Sequence, residues 1–419
     1  MVSKFILPEE QFTLSRIEKL NFIQDSAVES CLHSNRNTLC LATGVGKTIT
    51  AFKYLYELRK AGKLQDELVW FMAETTTRER TLIEESTAYE QIFGTNPLKD
   101  FNLKFHCYQA KPVGAPYVII ADEIHESLTP KYQEVYENNA SYVLGLSATI
   151  PRNLRVHRDD ETNELTKGEL LASIAPMSFY YPLSSAISDG ILSPYHTTVI
   201  EHGLDEVNQT IANKTKTKQW MSTEAKYFSY RNMVMGNPRM TQFYKQHCAR
   251  QMCRMLWNLP SKADVIKALL PTLTGKTIIF GVELSLLESI TDNVVRGGGK
   301  AQESKNTKLI DDFNAGRISV IAAAKKLKQG ITLEGVTNCI IVSYYKESWH
   351  AVQQLGRIVR FVPGKQANLY IMRTARTYET KWFDNLNKIK DEKGNVVETI
   401  DLNIVDHILS QNIRLYERA

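Results

Sequence analysis

Two glycines, a lysine and two hydroxyls fall together in Thr43-Gly44-Val45-Gly46-Lys47-Thr48, between a β-type run, Thr38–Ala42, and a stretch with helical periodicity. A loop whose N–H groups line up at a helix N-terminus, beside a lysine and a hydroxyl, suits a triphosphate. In that reading the amides cradle the β-phosphate, Lys47 neutralises β/γ oxygens and Thr48 ligates Mg2+. Strict phosphate-loop spacing asks for glycine at position 41, where this chain has Leu41; taken alone, the segment also reads as a tight strand-to-helix turn. Further along, the apolar run Val118–Ala121 ends in Asp122-Glu123-Ile124-His125. Adjacent carboxylates at a strand end point in different directions, so Asp122 can hold Mg2+ through water while Glu123 positions and polarises the attacking water, unless the pair is simply solvated surface.

Ser147-Ala148-Thr149 closes the next apolar run, and its order after the acidic strand is what lifts it above a polar strand end. In the second half, Gln353-Gln354-Leu355-Gly356-Arg357-Ile358-Val359-Arg360 sets two arginines three apart. On a helix these share a face. They can then reach a transferring γ-phosphate, or lie solvated on an amphipathic surface.

These residues need strand ends to hold them. The runs Thr38–Ala42, Leu68–Ala73, Leu103–Tyr108, Val118–Ala121 and Tyr142–Leu146 alternate with helical patterns, as a parallel sheet with crossover helices does. Between Lys47 and Arg59, Ile49, Phe52, Leu55 and Leu58 recur at three-residue steps, a stripe for burial against that sheet. Arg155–Gly168 reads as a polar loop, and Tyr180–Pro194 as a short helical connection between lobes. Alternation resumes at Thr277–Phe280, Ile318–Ala322, Cys339–Val342 and Asn368–Met372. Gly297–Gly299 is expected to be a flexible turn with no helix start behind it.

The chain has 419 residues, 43% of them apolar and 23% charged, which fits a folded protein of more than one domain. Net charge is only +5, but the segment from Asn213 to Lys262 carries ten basic residues, with Lys214, Lys216 and Lys218 at its start, against the single acid Glu224. Interleaved Trp220, Tyr227, Phe228, Tyr230, Phe243, Tyr244 and Trp257 make it a candidate grip on nucleic acid, or a helical insert whose rings pack. Six cysteines without a C-x-x-C pair point to reduced thiols rather than a disulfide framework or zinc site. The longest apolar runs are far short of the ~20 residues that span a bilayer. The N-terminus lacks a secretory pattern. A cytoplasmic protein with no membrane partner is the expectation; the oligomeric state is left open, a monomer being compatible.

The ordered set ATGVGKT, DEIH, SAT and QQLGRIVR resembles motifs I, II, III and VI of superfamily 2 helicases and translocases, of the DExH kind. Gln24, in NFIQDSA, resembles that family's adenine-reading glutamine. FMAETTTRE at 71–79 and CYQA at 107–110 stand where the first nucleic-acid-contacting segments belong, implying such contacts for Thr75, Thr76, Arg78 and Gln109. Leu327-Lys328-Gln329-Gly330-Ile331 resembles motif V, which puts Gly330 near the nucleotide, and His125, Ser147 and Thr149 take coupling positions. AISDGILSPY, within Tyr181–Tyr195, resembles the lead-in to the second lobe of restriction-subunit, UvrB-like and phage UvsW-like members. Departures are Thr332, where many relatives have Asp, and Gln354 and Val359, where Arg and Gly are common.

The resemblance covers about residues 15–375 and implies an α/β fold of two tandem RecA-like lobes, parallel sheets with crossover helices. The first lobe is expected over 1–182 and the second over 183–377, with a basic, mainly helical insert at about 205–270 and a C-terminal tail at 378–419. It further implies ATP and Mg2+ between the lobes, with Gln24, Lys47, Thr48, Asp122 and Glu123 on one side and Gln353, Arg357 and Arg360 on the other. The expected activity is that of an ATP-dependent DNA helicase or branch-remodelling translocase on branched or single-stranded DNA. That activity belongs to recombination, replication or repair, in a host cytoplasm if the source is a phage. An RNA helicase, a non-unwinding ATP-switched clamp and a restriction translocase subunit are the alternatives.

Overall fold

The computed structural model describes residues 3–110, 112–137, 139–150, 155–156, 165–204, 209–211, 220–236, 240–298, 300–324, 333–344, 364, 366–386, 388–390, 396–399 and 404–409. Six strands build the first sheet: β1 (Arg36–Leu41), β2 (Val69–Ala73), β3 (Leu103–Cys107), β4 (Val118–Asp122), β5 (Tyr142–Ser147) and β6 (Met177–Tyr181). Their order is β3-β2-β4-β5-β1-β6, and every pairing is parallel. β2 and β4 are buried at every position, which is why β2, and β4 up to its terminal Asp122, read as apolar runs rather than alternating ones. Helices α1 (Arg16–Cys31), α2 (Lys47–Lys60) and α3 (Thr77–Phe93) belong to this lobe. A capping box fixes the start of α1: Ser15 Oγ accepts from Glu18 N, and the Glu18 carboxylate accepts from Ser15 N at 2.8 Å. On α2 the expected stripe is buried at Phe52, Leu55 and Leu58, with Ile49 half-buried.

The registers set the strand ends that matter side by side, with Cys40 opposite Ser147 and Asp122 opposite Leu146. Because all strands run the same way, the residues after β1, β4 and β5 emerge at one edge, where open α/β sheets bind ligands. β5 also requires glycine at 145. A Cβ there would lie 2.6 Å from Ile124 Cδ1 and 2.6 Å from Thr38 Oγ1, so its absence lets the helical turn Ile124–Ser127 press onto the sheet.

α4 (Lys167–Ile174) precedes β6, and α5 (Leu183–Ser188) occupies the expected connection, where Arg16 Nε donates to Ile191 O at 2.8 Å. The second sheet has seven strands: β7 (Tyr195–His202), β8 (Lys276–Gly281), β9 (Val294–Val295), β10 (Val320–Ala324), β11 (Val336–Ile341), β12 (Ala367–Thr374) and β13 (Ile404–Leu409). Their order is β9-β10-β8-β11-β12-β7-β13, again parallel at every pairing. The fold is therefore α/β with two tandem RecA-like lobes.

Three boundaries differ from expectation. Of the helices α6 (Thr223–Gly236), α7 (Gln242–Trp257) and α8 (Pro260–Leu269), only the first two form the insert, closing over Leu204, Tyr227, Met252, Leu256 and Leu259. α8 packs instead with α9 (Leu284–Ile290) in the sheet's own apolar cluster, beside Ile279 and Ile340. Within the insert Tyr227 is buried and Phe228 lies edge-on against it, so these rings do core work, while Phe243 and Tyr244 are exposed. Second, α10 (Lys300–Asn314) starts directly behind the glycine run, and its Asn306 reaches back to accept from Arg296 N and donate to Arg296 O. Third, position 378 begins no tail. α11 (Tyr378–Leu386) inserts a fully buried Glu379 that pairs with Lys262 at 2.7 Å, and β13 extends the sheet beside β7. Lys262 is therefore a core residue rather than part of the insert's basic surface. Among the described residues no helix is long and apolar enough to cross a membrane.

Candidate active site

β1 leads into the loop at 43–48 through two backbone turns that only glycine takes without strain, Gly44 at φ 95° and Gly46 at φ 87°. α2 begins at Lys47, so the loop's N–H groups collect at the positive end of the helix. Glycine at 46 is also a steric demand, since a Cβ would come 2.7 Å from Gln24 Nε2. That amide is buried on α1 and donates to Val45 O at 2.9 Å, tying helix to loop. Gln24 Oε1 is buried with no hydrogen-bond partner. An orphaned acceptor of this kind costs about 1–3 kcal/mol, which the amino group of an adenine would offset.

At the end of β4, Glu123 adopts left-handed backbone angles (φ 48°, ψ 53°), a conformation that disfavours side chains and turns the chain sharply into Ile124–Ser127. The turn aims Glu123 Oε1 at Lys47 Nζ, 3.2 Å away, and Oε2 at His125 Nδ1, 3.4 Å away. Burial pushes the Glu123 carboxyl up, but Lys47 and then His125 outweigh it and hold the group below the usual carboxylate range. His125 is fully buried, and its Nδ1 lies 2.8 Å from Ser147 Oγ. Ser147 Oγ in turn donates to Thr149 O at 2.7 Å and accepts from Thr149 N at 3.2 Å. The acidic strand and the next one are thus joined by a hydrogen-bonded chain from Glu123 to Thr149.

Asp122 and Thr48, the expected metal ligands, are both buried, and their oxygens converge on one cation, the Arg78 guanidinium. Arg78 Nε is 2.6 Å from Asp122 Oδ2, and its Nη2 is 2.6 Å from Thr48 Oγ1. A carboxylate and a hydroxyl so placed are hard oxygen donors suited to Mg2+. This also corrects the expectation for Arg78. It does not face a nucleic-acid surface, because Asp122 and Glu85 draw its side chain inward, leaving it 7% exposed. Its segment neighbours behave otherwise: Thr76 and Gln109 are exposed and Thr75 half-buried, at the ends of β2 and β3 on the same sheet edge.

Three supporting residues had no motif to announce them. Tyr108 donates to Asp122 O at 3.0 Å, and Lys167, at the start of α4, donates to His125 O at 2.5 Å. Glu85 Oε2 stands 2.8 Å from Arg78 Nη2 as an ion pair. Glu85 alone carried a signal, since seven positions after Arg78 on a helix returns to the same face. Gly330, Gln353, Arg357, Arg360, Lys214, Lys216 and Lys218 lie outside the described residues. Among the described residues no group of three His, Cys, Asp or Glu side chains could hold a further metal.

Two family comparisons match parts of the chain: type III restriction enzyme, res subunit, over residues 74–152, and helicase conserved C-terminal domain over residues 261–362. The second begins where α8 does, in agreement with an insert that ends before it. No curated protein matches. Among solved structures, the chain is similar to the ATP-dependent type ISP restriction-modification enzyme LlaBIII bound to DNA, with 15% identity and a TM-score of 0.54 over 86% of this chain and 29% of that one. It is similar to a fragment of a putative HsdR subunit of a type I restriction enzyme from Vibrio vulnificus, at 16% identity and TM-score 0.54, over 93% of this chain and 67% of that one. It is also similar to S. cerevisiae Dbp5 bound to RNA and ADP BeF3, at 14% identity and TM-score 0.56, over 98% and 97% of the two chains. At such identities the likeness is one of fold.

Proposed function

Because the chain belongs to the superfamily 2 helicases and translocases, we propose that it hydrolyses ATP to move along nucleic acid, with DNA as the track and branched or single-stranded DNA as the preferred form. The observation that carries this reading is the meeting of Lys47, Thr48, Asp122 and Glu123 at one sheet edge, with Glu123 wired through His125 to Ser147 and Thr149.

Gln24 would read the base, and Thr43 to Lys47 would hold the phosphates through loop amides and the lysine. Thr48 and Asp122 would hold Mg2+, which when bound supplies charge neutralisation on the β- and γ-phosphate oxygens. To reach those oxygens Lys47 must give up Glu123, and the same exchange releases Glu123 Oε1 to orient the attacking water and take its proton. A change of charge or partner at Glu123 is felt directly at His125 and Ser147, the route by which ATP state would reach the strand ends at Thr75, Thr76 and Gln109. Gly330, Gln353, Arg357 and Arg360 of the second lobe would complete the site, the arginines stabilising charge on the transferring phosphoryl group. Lys214, Lys216 and Lys218 would add phosphate-backbone contacts.

The match to a restriction enzyme's res subunit supports DNA. The near full-length likeness to an RNA-bound structure supports RNA as the second reading. ATP turnover measured side by side with single-stranded DNA, duplex DNA, forked DNA and RNA separates them. DNA should stimulate most; greater stimulation by RNA selects the second reading, and no stimulation by any polymer would sink both.

A further inference from the structure

Arg78 holds a place that the proposed hydrolysis does not use. It is the second residue of α3, and its side chain turns back under the sheet edge, 5.4 Å over the ring of Phe71. One guanidinium spans three acceptors: Asp122 Oδ2 and Thr48 Oγ1, both at 2.6 Å, and Glu85 Oε2 at 2.8 Å. Burial opposes its charge, yet Asp122 and then Glu85 keep it firmly protonated. Nη1 is buried with no hydrogen-bond partner, so the pocket leaves part of this side chain's hydrogen-bonding capacity unmet.

Two of those three acceptors are the oxygens assigned above to Mg2+. Mg2+ held by these two oxygens, directly or through water, would need the space that the guanidinium fills, and two cations drawn to the same oxygens would repel each other. We propose that Arg78 is a built-in competitor for the metal position: it keeps Thr48 and Asp122 in place as a pair, and loading of the metal with nucleotide requires the guanidinium to leave them. Glu85 gives the displaced side chain somewhere to stay. Its Oε2 already stands 2.8 Å from Nη2, so Arg78 can release Asp122 without losing all ionic partnership. The consequence is a threshold: metal-dependent nucleotide binding needs more Mg2+ than the bare Thr48–Asp122 pair would require. This inference rests on the proposed assignment of Thr48 and Asp122.

The test is a Mg2+ titration of the binding of a fluorescent ADP analogue to the full chain, which requires no turnover. Arg78→Gln should lower the Mg2+ concentration at half-maximal binding by about tenfold. Glu85→Gln, which removes the ionic partner that receives the displaced arginine without touching the metal ligands, should raise it by a smaller factor. The melting temperature of Arg78→Gln should fall in EDTA, where Asp122 loses its counter-charge, and should recover on adding Mg2+ with ADP by more than the wild type gains. A folded Arg78→Gln whose half-saturating Mg2+ matches or exceeds that of wild type overturns the proposal. If Arg78→Gln does not fold, an unchanged midpoint in Glu85→Gln does so. Asp122→Asn separates the two readings. If it leaves the Mg2+ requirement intact, the metal assignment itself fails; if it abolishes that requirement while Arg78→Gln changes nothing, only the competitor role fails.

Discussion

Glu123→Gln is the most informative single change at the site, because the structure gives its two carboxylate oxygens different work. Oε1 lies 3.2 Å from Lys47 Nζ, and Oε2 lies 3.4 Å from both His125 Nδ1 and Ser147 Oγ. Glutamine keeps the shape and one acceptor but cannot take a proton from water. A general base contributes about 10²–10⁴ in rate, or roughly 3–5 kcal/mol of barrier, so turnover should fall by that factor. Binding should move the other way. Both partners are mostly out of water, at 12% and 16% exposure, and a hydrogen bond between charged groups is worth about 1.5–3 kcal/mol. Wild-type Lys47 surrenders that bond to reach phosphate, whereas in the variant it surrenders a weaker one. Each ~1.4 kcal/mol so released tightens nucleotide binding tenfold. Fluorescent-nucleotide titration and single-turnover phosphate release measure the two effects separately. Turnover within about threefold of wild type would remove Glu123 as the base; a loss of nucleotide affinity would show that the Lys47–Glu123 pair instead holds the loop together.

Acidification should reveal the same pair. Glu123 is held below the ordinary carboxylate value, so its stabilisation is present above ~4.3 and is lost as pH falls through the lowered value. The denaturant midpoint should therefore drop more between pH 7 and acid in wild type than in Glu123→Gln, and parallel curves would contradict the pairing. Gly46→Ala puts a side chain at φ 87° and within 2.7 Å of Gln24 Nε2, which should cost about 2–3 kcal/mol in chemical denaturation and abolish nucleotide binding; wild-type affinity would refute the loop geometry. Lys262→Ala leaves the fully buried Glu379 without its counter-charge and should cost about 3–5 kcal/mol. Lys262→Met with Glu379→Gln should regain most of that, because the amide oxygen can still accept from Thr374 N; additive losses would count against the pair. Removing Arg357 and Arg360 together should cost on the order of 10³–10⁵ in polymer-stimulated turnover with little change in nucleotide affinity, and unchanged turnover would refute a two-lobed site.

Local order along the chain was enough to identify the loop at 43–48, the acidic strand end at 122–123 and Ser147–Thr149, because each depends on neighbours a few residues apart and on unbroken apolar runs such as Val118–Ala121. Parallel pairing then forces those strand ends to one edge, so the meeting of these residues there followed from sequence. What the sequence could not decide were partnerships across long stretches of chain. Arg78 carries the spacing of a nucleic-acid contact, yet it is fixed by Asp122 on another strand. Lys262 looked like one more cation of a basic insert until Glu379, from beyond the expected end of the second lobe, met it in the core. Lys167 stands in no motif and acquires its role only when α4 brings it under His125 O. A buried charge is stable only where folding delivers its counter-charge, and that delivery is a property of the packed chain, with no trace in the residues on either side.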